Sequence, residues 1–105
     1  MTTAVNPDAA NAAAAASAAA ANAAEAQAAI PVLREQIDAL DEAIIRLVAE
    51  RARVSRRIQT ARINAGGTRV ELGRERVVHA NYRDGLGPDG PHLADALLQV
   101  CRGTR

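Results

Sequence analysis

From Leu33 the chain repeats apolar residues at alternating spacings of four and three: Leu33, Ile37, Leu40, Ile44 and Leu47, then, after one interruption, Val54, Ile58 and Ala61. That is a heptad seam, the pattern of a long helix packed against other helices. The interruption is Arg51, which holds a seam slot where a leucine belongs. A guanidinium cannot shed its charge, and burying it is costly unless an anion meets it. Arg62 follows eleven residues later, about three helical turns, so it projects from nearly the same face. The seam turns from apolar to cationic partway along, which points to an anion site built between helices.

The chain has 105 residues, enough for one domain. It lacks Phe and Trp, and Tyr82 is its only aromatic residue. A core built from Leu, Ile, Val and Ala alone suits helices packed on helices. All thirteen basic residues are arginine, the side chain suited to bidentate recognition of carboxylate and phosphate. A GC-rich genome would also favour arginine and alanine, so the positions of the arginines carry the argument and their number does not. A net charge of +1 argues against a nucleic-acid binder held by bulk electrostatics. Cys101 is the single cysteine, which excludes an intrachain disulfide or a cysteine-based metal site and fits a reducing, cytoplasmic compartment. His79 and His92 have no carboxylate or cysteine at ligand spacing, so they are expected at exposed helix positions, with no metal.

Sixteen of the twenty-one residues from Ala9 to Ala29 are alanine. The stretch has no apolar periodicity and no basic n-region, so it makes a poor secretory signal. Alanine is too weakly apolar, and Asn11, Asn22, Glu25 and Gln27 too polar, for a membrane span. Alanine also has the highest helix propensity. Residues 1–29 are therefore expected to be an accessory tail, helical at best when isolated, and residues 30–105 the folded domain.

Pro31 suits the first turn of a helix, and the pattern then runs unbroken to about Asn64, where Gly66-Gly67 supplies a stop. Such a helix is a rod of roughly 50 Å. A compact 100-residue domain has a radius of gyration of about 13 Å. The residues after the rod cannot cover it, so a second copy of the chain is expected. Thr68 to Leu72 is a short connection, followed by a helix over about Gly73 to Asp84 with Val77 and Val78 as its apolar face. Gly85-Leu86-Gly87-Pro88-Asp89-Gly90 is a turn cluster. Asp89 or Gly90 can cap a third helix beginning near Pro91, with Leu93, Leu97, Val100 and Cys101 as its stripe and Gly103 as its end. The expected fold class is all-α, one long helix and two short ones, with no convincing strand period.

Arg51, Ser55, Ile58 and Arg62 fall on one stripe, spaced by four, three and four. Arg74 and Glu75 open the second helix. Arg34 stands seventeen residues before Arg51, about 25 Å away along one helix, so the two cannot share a pocket within a chain. Antiparallel pairing of two rods would bring Arg34 of one chain to Arg51 of the other. Arg53, Arg56 and Arg57 are expected on the solvated face, paired with neighbours such as Glu50.

Leu33-Arg34-Glu35-x-Ile37-Asp38-x-Leu40-Asp41, then Leu47-Val48-Ala49-Glu50-Arg51, then Ile58, Ala61-Arg62 and Arg74-Glu75-Arg76, together resemble the AroQ-type, all-helical chorismate mutases. The resemblance covers residues 33 to about 103. Gly66-Gly67-Thr68-Arg69 and Leu86-Gly87-Pro88-Asp89-Gly90 are similar to the short, or delta, subclass. The opening motif, with an arginine ten residues after its last Asp, is the specific part of the match.

The resemblance implies an intertwined homodimer of three-helix chains that converts chorismate to prephenate, an isomerase on the shikimate branch toward phenylalanine and tyrosine. This rearrangement is pericyclic and needs no nucleophile, metal, cofactor or proton transfer. An enzyme must hold two carboxylates, restrict the conformer and favour charge developing on the ether oxygen. The resemblance assigns carboxylate contacts to Arg51, Arg74 and the partner chain's Arg34, the ether oxygen to Arg62, and the ring hydroxyl to Glu75. Glu71 assists, and Ser55, Ile58 and Val78 line the pocket. Many family members bring a Gln or Glu to the ether oxygen from a longer last helix; here Arg105 comes before that slot. The ending Cys101-Arg102-Gly103-Thr104-Arg105 is similar to the short subclass, whose members are weakly active alone and are activated by docking on DAHP synthase. That enzyme is thus the expected partner, beside chorismate and a second copy; no membrane or nucleic acid is expected. Two alternatives stand beside this reading. Isochorismate pyruvate-lyase shares the fold and arginine pattern. A non-catalytic dimerisation or regulatory module would pair the seam arginines with protein carboxylates and leave no pocket.

Overall fold

A computed structural model describes residues 7–67 and 71–103. All the regular structure among them is helical: α1 (Pro7–Asn64), α2 (Leu72–Leu86) and α3 (Gly90–Arg102). Arg69 and most of the connection expected from Thr68 lie outside the described residues, as do Thr104 and Arg105. None of these helices is long and apolar enough to cross a membrane.

The chain divides into two units, the first ending at Asp41 and the second running Glu42–Arg105. In the first unit every described residue is helical and exposed. Pro31 does not start the helix as expected but lies inside it. The missing N–H removes one backbone bond, the one to the Gln27 carbonyl, at a cost of about 3 kcal/mol in a helix interior. The alanine-rich stretch before it and the heptad stretch after it both favour helix, so α1 continues through the defect. The seam residues Leu33, Ile37 and Leu40 are 53–58% exposed. That is a long apolar face without cover in a single chain.

In the second unit α2 and α3 form an antiparallel hairpin. Its register is set by three cross-pairs: Tyr82 with Gly90, His79 with Asp95, and Glu75 with Arg102. A Cβ on Gly90 would lie 2.1 Å from the Tyr82 carbonyl oxygen, so only glycine lets the helices meet there. His79 Nε2 lies 2.5 Å from Asp95 Oδ1, so this histidine is half-buried and partnered, where an exposed position was expected. His92 is exposed.

The core is small: Ala52 from α1, Val78 from α2, and Ala94, Leu97 and Cys101 from α3. The expected α3 stripe is corrected by one residue. Leu93 and Val100 are exposed, while Gly90, Ala94, Leu97 and Cys101 are buried at spacings of four, three and four. One residue is about 100° of helix rotation, and the close approach at Gly90 turns the small-residue face inward. By the same rotation Val78 is buried and its neighbour Val77 is not. α2 exceeds its expected span by one residue at the start and two at the end, the scale on which helix ends fray. α3 begins at Gly90 with Asp89 in the N-cap position, although the Asp89 side chain makes no capping bond.

Candidate active site

A cavity of about 340 Å³ opens within the second unit, walled by all three helices. From α1 come Arg51, Val54, Ser55, Ile58, Gln59 and Arg62, one helical stripe. The start of α2 gives Glu71, Arg74, Glu75 and Val78, and the end of α3 gives Leu98, Cys101 and Arg102. The stripe of Arg51, Ser55, Ile58 and Arg62 read from spacing is thus on one wall, and the expected Glu71, Arg74, Glu75 and Val78 face it. Arg34 belongs to the first unit. Val54, Gln59, Leu98, Cys101 and Arg102 are not among the site residues expected from the sequence, where Cys101 reads only as part of the α3 stripe. Gln59 sits four residues after Ser55, so helical spacing could have found it. Arg102 could be found only from the register of α2 on α3.

Local structure positions most of the charged groups. α1 ends in a Schellman motif: Gly67 N–H donates to the Arg62 carbonyl at 2.8 Å and Gly66 N–H to the Ile63 carbonyl at 2.9 Å. Gly66 takes a φ of 85°, which favours glycine. Arg62 therefore sits in the last turn, where the helix dipole favours a cation. A Cβ on Gly67 would come within 2.6 Å of Arg62 Cγ, so the glycine also leaves room for the arginine stem. Glu71 is the N-cap residue of α2 but makes no side-chain capping bond. Its carboxylate instead accepts a hydrogen bond from Arg62 Nη2 at 3.0 Å. Glu75 lies in the first turn of α2 and Arg102 in the last turn of α3, both favourable dipole positions, and the two form an ion pair.

Arg51 is half-buried and donates from Nη1 to the Sγ of buried Cys101, 2.9 Å away. A seam arginine paired with a protein carboxylate would have indicated a purely structural role; among the described residues Arg51 is not so paired. Among the described residues Arg74 likewise makes no ion pair. The exposed face of α1 behaves as expected for a solvated surface, with Arg53 paired to Glu50.

The cavity wall thus carries four guanidinia and two carboxylates. Arg62 is matched by Glu71 and Arg102 by Glu75. Among the described residues Arg51 and Arg74 are left as two positive charges without a protein carboxylate, beside the apolar surface of Ile58, Val78 and Leu98. Such a site favours a small, partly apolar ligand bearing two negative charges.

The family model described as chorismate mutase type II matches residues 33–102. The intracellular chorismate mutase of Mycobacterium tuberculosis is 50% identical over 74 residues, 70% of each chain. That of Mycolicibacterium smegmatis is 46% identical over 71 residues, 68% of each chain. Among solved structures, a non-covalent complex of DAHP synthase and chorismate mutase from Corynebacterium glutamicum, with a bound transition state analog, contains a similar chain. The match has a TM-score of 0.71 and 36% identity, covering 76% of this chain and 96% of that one.

Proposed function

This chain belongs to the type II chorismate mutases, and from that premise we propose that its cavity binds chorismate and isomerises it to prephenate. The observation that carries the reading is the charge count of the wall. Among the described residues two guanidinia, Arg51 and Arg74, have no protein carboxylate, and chorismate brings two. Arg34 of the partner subunit joins them in an intertwined homodimer. The exposed seam supports that dimer: Leu33, Ile37, Leu40, Ile44 and Leu47 are each more than half exposed in one chain. An apolar face of that extent marks a protein interface.

In this reading the residues act by holding and by charge, with no bond made to the protein. The carboxylate clamps fix the compact conformer in which the reacting carbons meet, turning a rare geometry into the bound one. Ile58 and Val78 restrict the ring. Arg62, oriented by Glu71, favours the negative charge that develops on the ether oxygen as its C–O bond breaks. Glu75 accepts from the ring hydroxyl. Ser55 lines the wall, with Gln59 beside it. Residues 1–29 form an accessory tail and residues 30–105 the catalytic domain. The enzyme acts in the cytoplasm, in the shikimate pathway, and a DAHP synthase is its partner. The Corynebacterium glutamicum complex supports that last element.

The test is direct: incubate the purified chain with chorismate and identify the product by proton NMR, with isochorismate as a second substrate. Prephenate from chorismate is expected. Pyruvate released from isochorismate, with chorismate untouched, would assign the lyase reaction instead. No turnover of either substrate, with or without a DAHP synthase, would leave a non-catalytic helical module.

A further inference from the structure

We infer that Arg102 is a positioning residue, which keeps the carboxylate of Glu75 away from the two guanidinia that receive the ligand. The inference rests on the chorismate reading above and adds a residue which that reading does not use.

Glu75 is the less exposed of the two acids on the cavity wall: its side chain is 19% exposed, against 60% for Glu71. It shares the wall with Arg51, Arg62 and Arg74, and it directly follows Arg74 in the first turn of α2. A glutamate has three rotatable side-chain bonds. Left unanchored in a cationic cavity, its carboxylate would be drawn to whichever guanidinium lacked a partner. Arg62 already has Glu71. The remaining candidates are Arg51 and Arg74, the two groups on which a dicarboxylate ligand depends. A carboxylate of the protein would then compete with a carboxylate of the substrate.

The hairpin register prevents this. Tyr82 against Gly90 and His79 against Asp95 place the start of α2 opposite the end of α3. Arg102, in the last turn of α3, thereby meets Glu75 from outside the α1 wall and pairs with it. The helix dipoles support both charges where they stand. Arg102 contributes to ligand binding without donating to the ligand: it decides which cations are open.

The test is a double-mutant cycle on the full chain, Arg102→Ala and Glu75→Gln singly and together, read as kcat and KM for chorismate. Arg102→Ala is expected to raise KM about tenfold, the scale of one charged hydrogen bond, with a smaller change in kcat. In the Glu75→Gln background, where the Glu75 carboxylate is gone and Glu71 stays with Arg62, Arg102→Ala is expected to change KM less than about twofold. Arg102→Lys keeps the charge and is expected to stay near the wild-type KM. Helical content and oligomeric state are measured for each variant. If the alanine variant does not fold, Arg102→Gln and Arg102→Lys carry the same comparison. The same fold-change in KM in both backgrounds, or an unchanged KM in Arg102→Ala, overturns the inference while wild-type turnover stands. A wild-type chain that does not convert chorismate overturns the functional reading and this inference with it.

Discussion

Arg51 Nη1 donates to the Sγ of Cys101 at 2.9 Å, joining the C-terminal part of α1 to the end of α3 across the cavity wall. Cysteine sulfur is a weak acceptor, so the contact orients the guanidinium while leaving it without a carboxylate partner among the described residues. Arg51 is aimed and still able to meet an anion.

That relationship sets the expected behaviour of Cys101 variants. Cys101→Ser replaces sulfur with an oxygen acceptor and should leave KM for chorismate near the wild-type value. Cys101→Ala removes the acceptor and should raise KM roughly twofold to tenfold, the range of a hydrogen bond worth about 0.5–1.5 kcal/mol. Steady-state kinetics on both variants checks this. Equal effects of Ser and Ala would show that Sγ only fills space.

Arg62→Ala should lower kcat more than it weakens substrate binding. Its charge is most useful when the ether oxygen becomes negative, so its loss falls on the transition state. Removing one such donor costs on the order of 3 kcal/mol, about a hundredfold or more in rate. Arg62→Lys should keep more activity than Arg62→Ala. A raised KM with unchanged kcat would mean that Arg62 only helps to hold the substrate.

Gly90→Ala tests the hairpin that delivers Glu75 and Arg102 to the cavity. The added methyl would lie 2.1 Å from a backbone carbonyl oxygen, which cannot rotate away as a side chain could. Overpacking of this kind typically costs about 1–3 kcal/mol, and a contact so short belongs at the upper end. The loss should appear as a lower urea midpoint. Gly73→Ala, where nothing lies within 4 Å of the added atom, is the control and should not lower it.

Removal of residues 1–29 should leave the remaining fold and most of the activity intact. Every described residue of that stretch is exposed, so its helix rests mainly on backbone bonds and alanine propensity and buries no apolar face. Circular dichroism should lose only the share of helix that the tail supplies. Loss of the dimer, or of helix beyond that share, would contradict the expectation.

The sequence reading and the structure agree best where one periodicity governs. The three helices, the stop at Gly66-Gly67 and the stripe from Arg51 to Arg62 all follow from spacing within a single helix. Where they part, the cause lies between elements. Pro31 reads as a start because proline favours the first turn, and only the helix-forming stretches on both sides override it. Leu93 and Val100 read as core because they are the larger apolar residues. The close contact at Gly90 selects the face of Gly90, Ala94, Leu97 and Cys101 instead. Arg102 was invisible as a site residue for the same reason: its place opposite Glu75 depends on a register between two helices, set at the close Tyr82–Gly90 contact, which spacing within one helix does not reveal.

The claim that two chains complete one chorismate site is tested most directly by complementation. Arg34→Ala and Arg51→Ala should each be nearly inactive. When the two are mixed and subunit exchange is confirmed, a mixed dimer has one site with both arginines intact and one with neither. Chorismate mutase activity should therefore reappear on mixing, while neither variant recovers alone. No recovery despite exchange would place Arg34 of the partner subunit outside the site and contradict a pocket shared between chains.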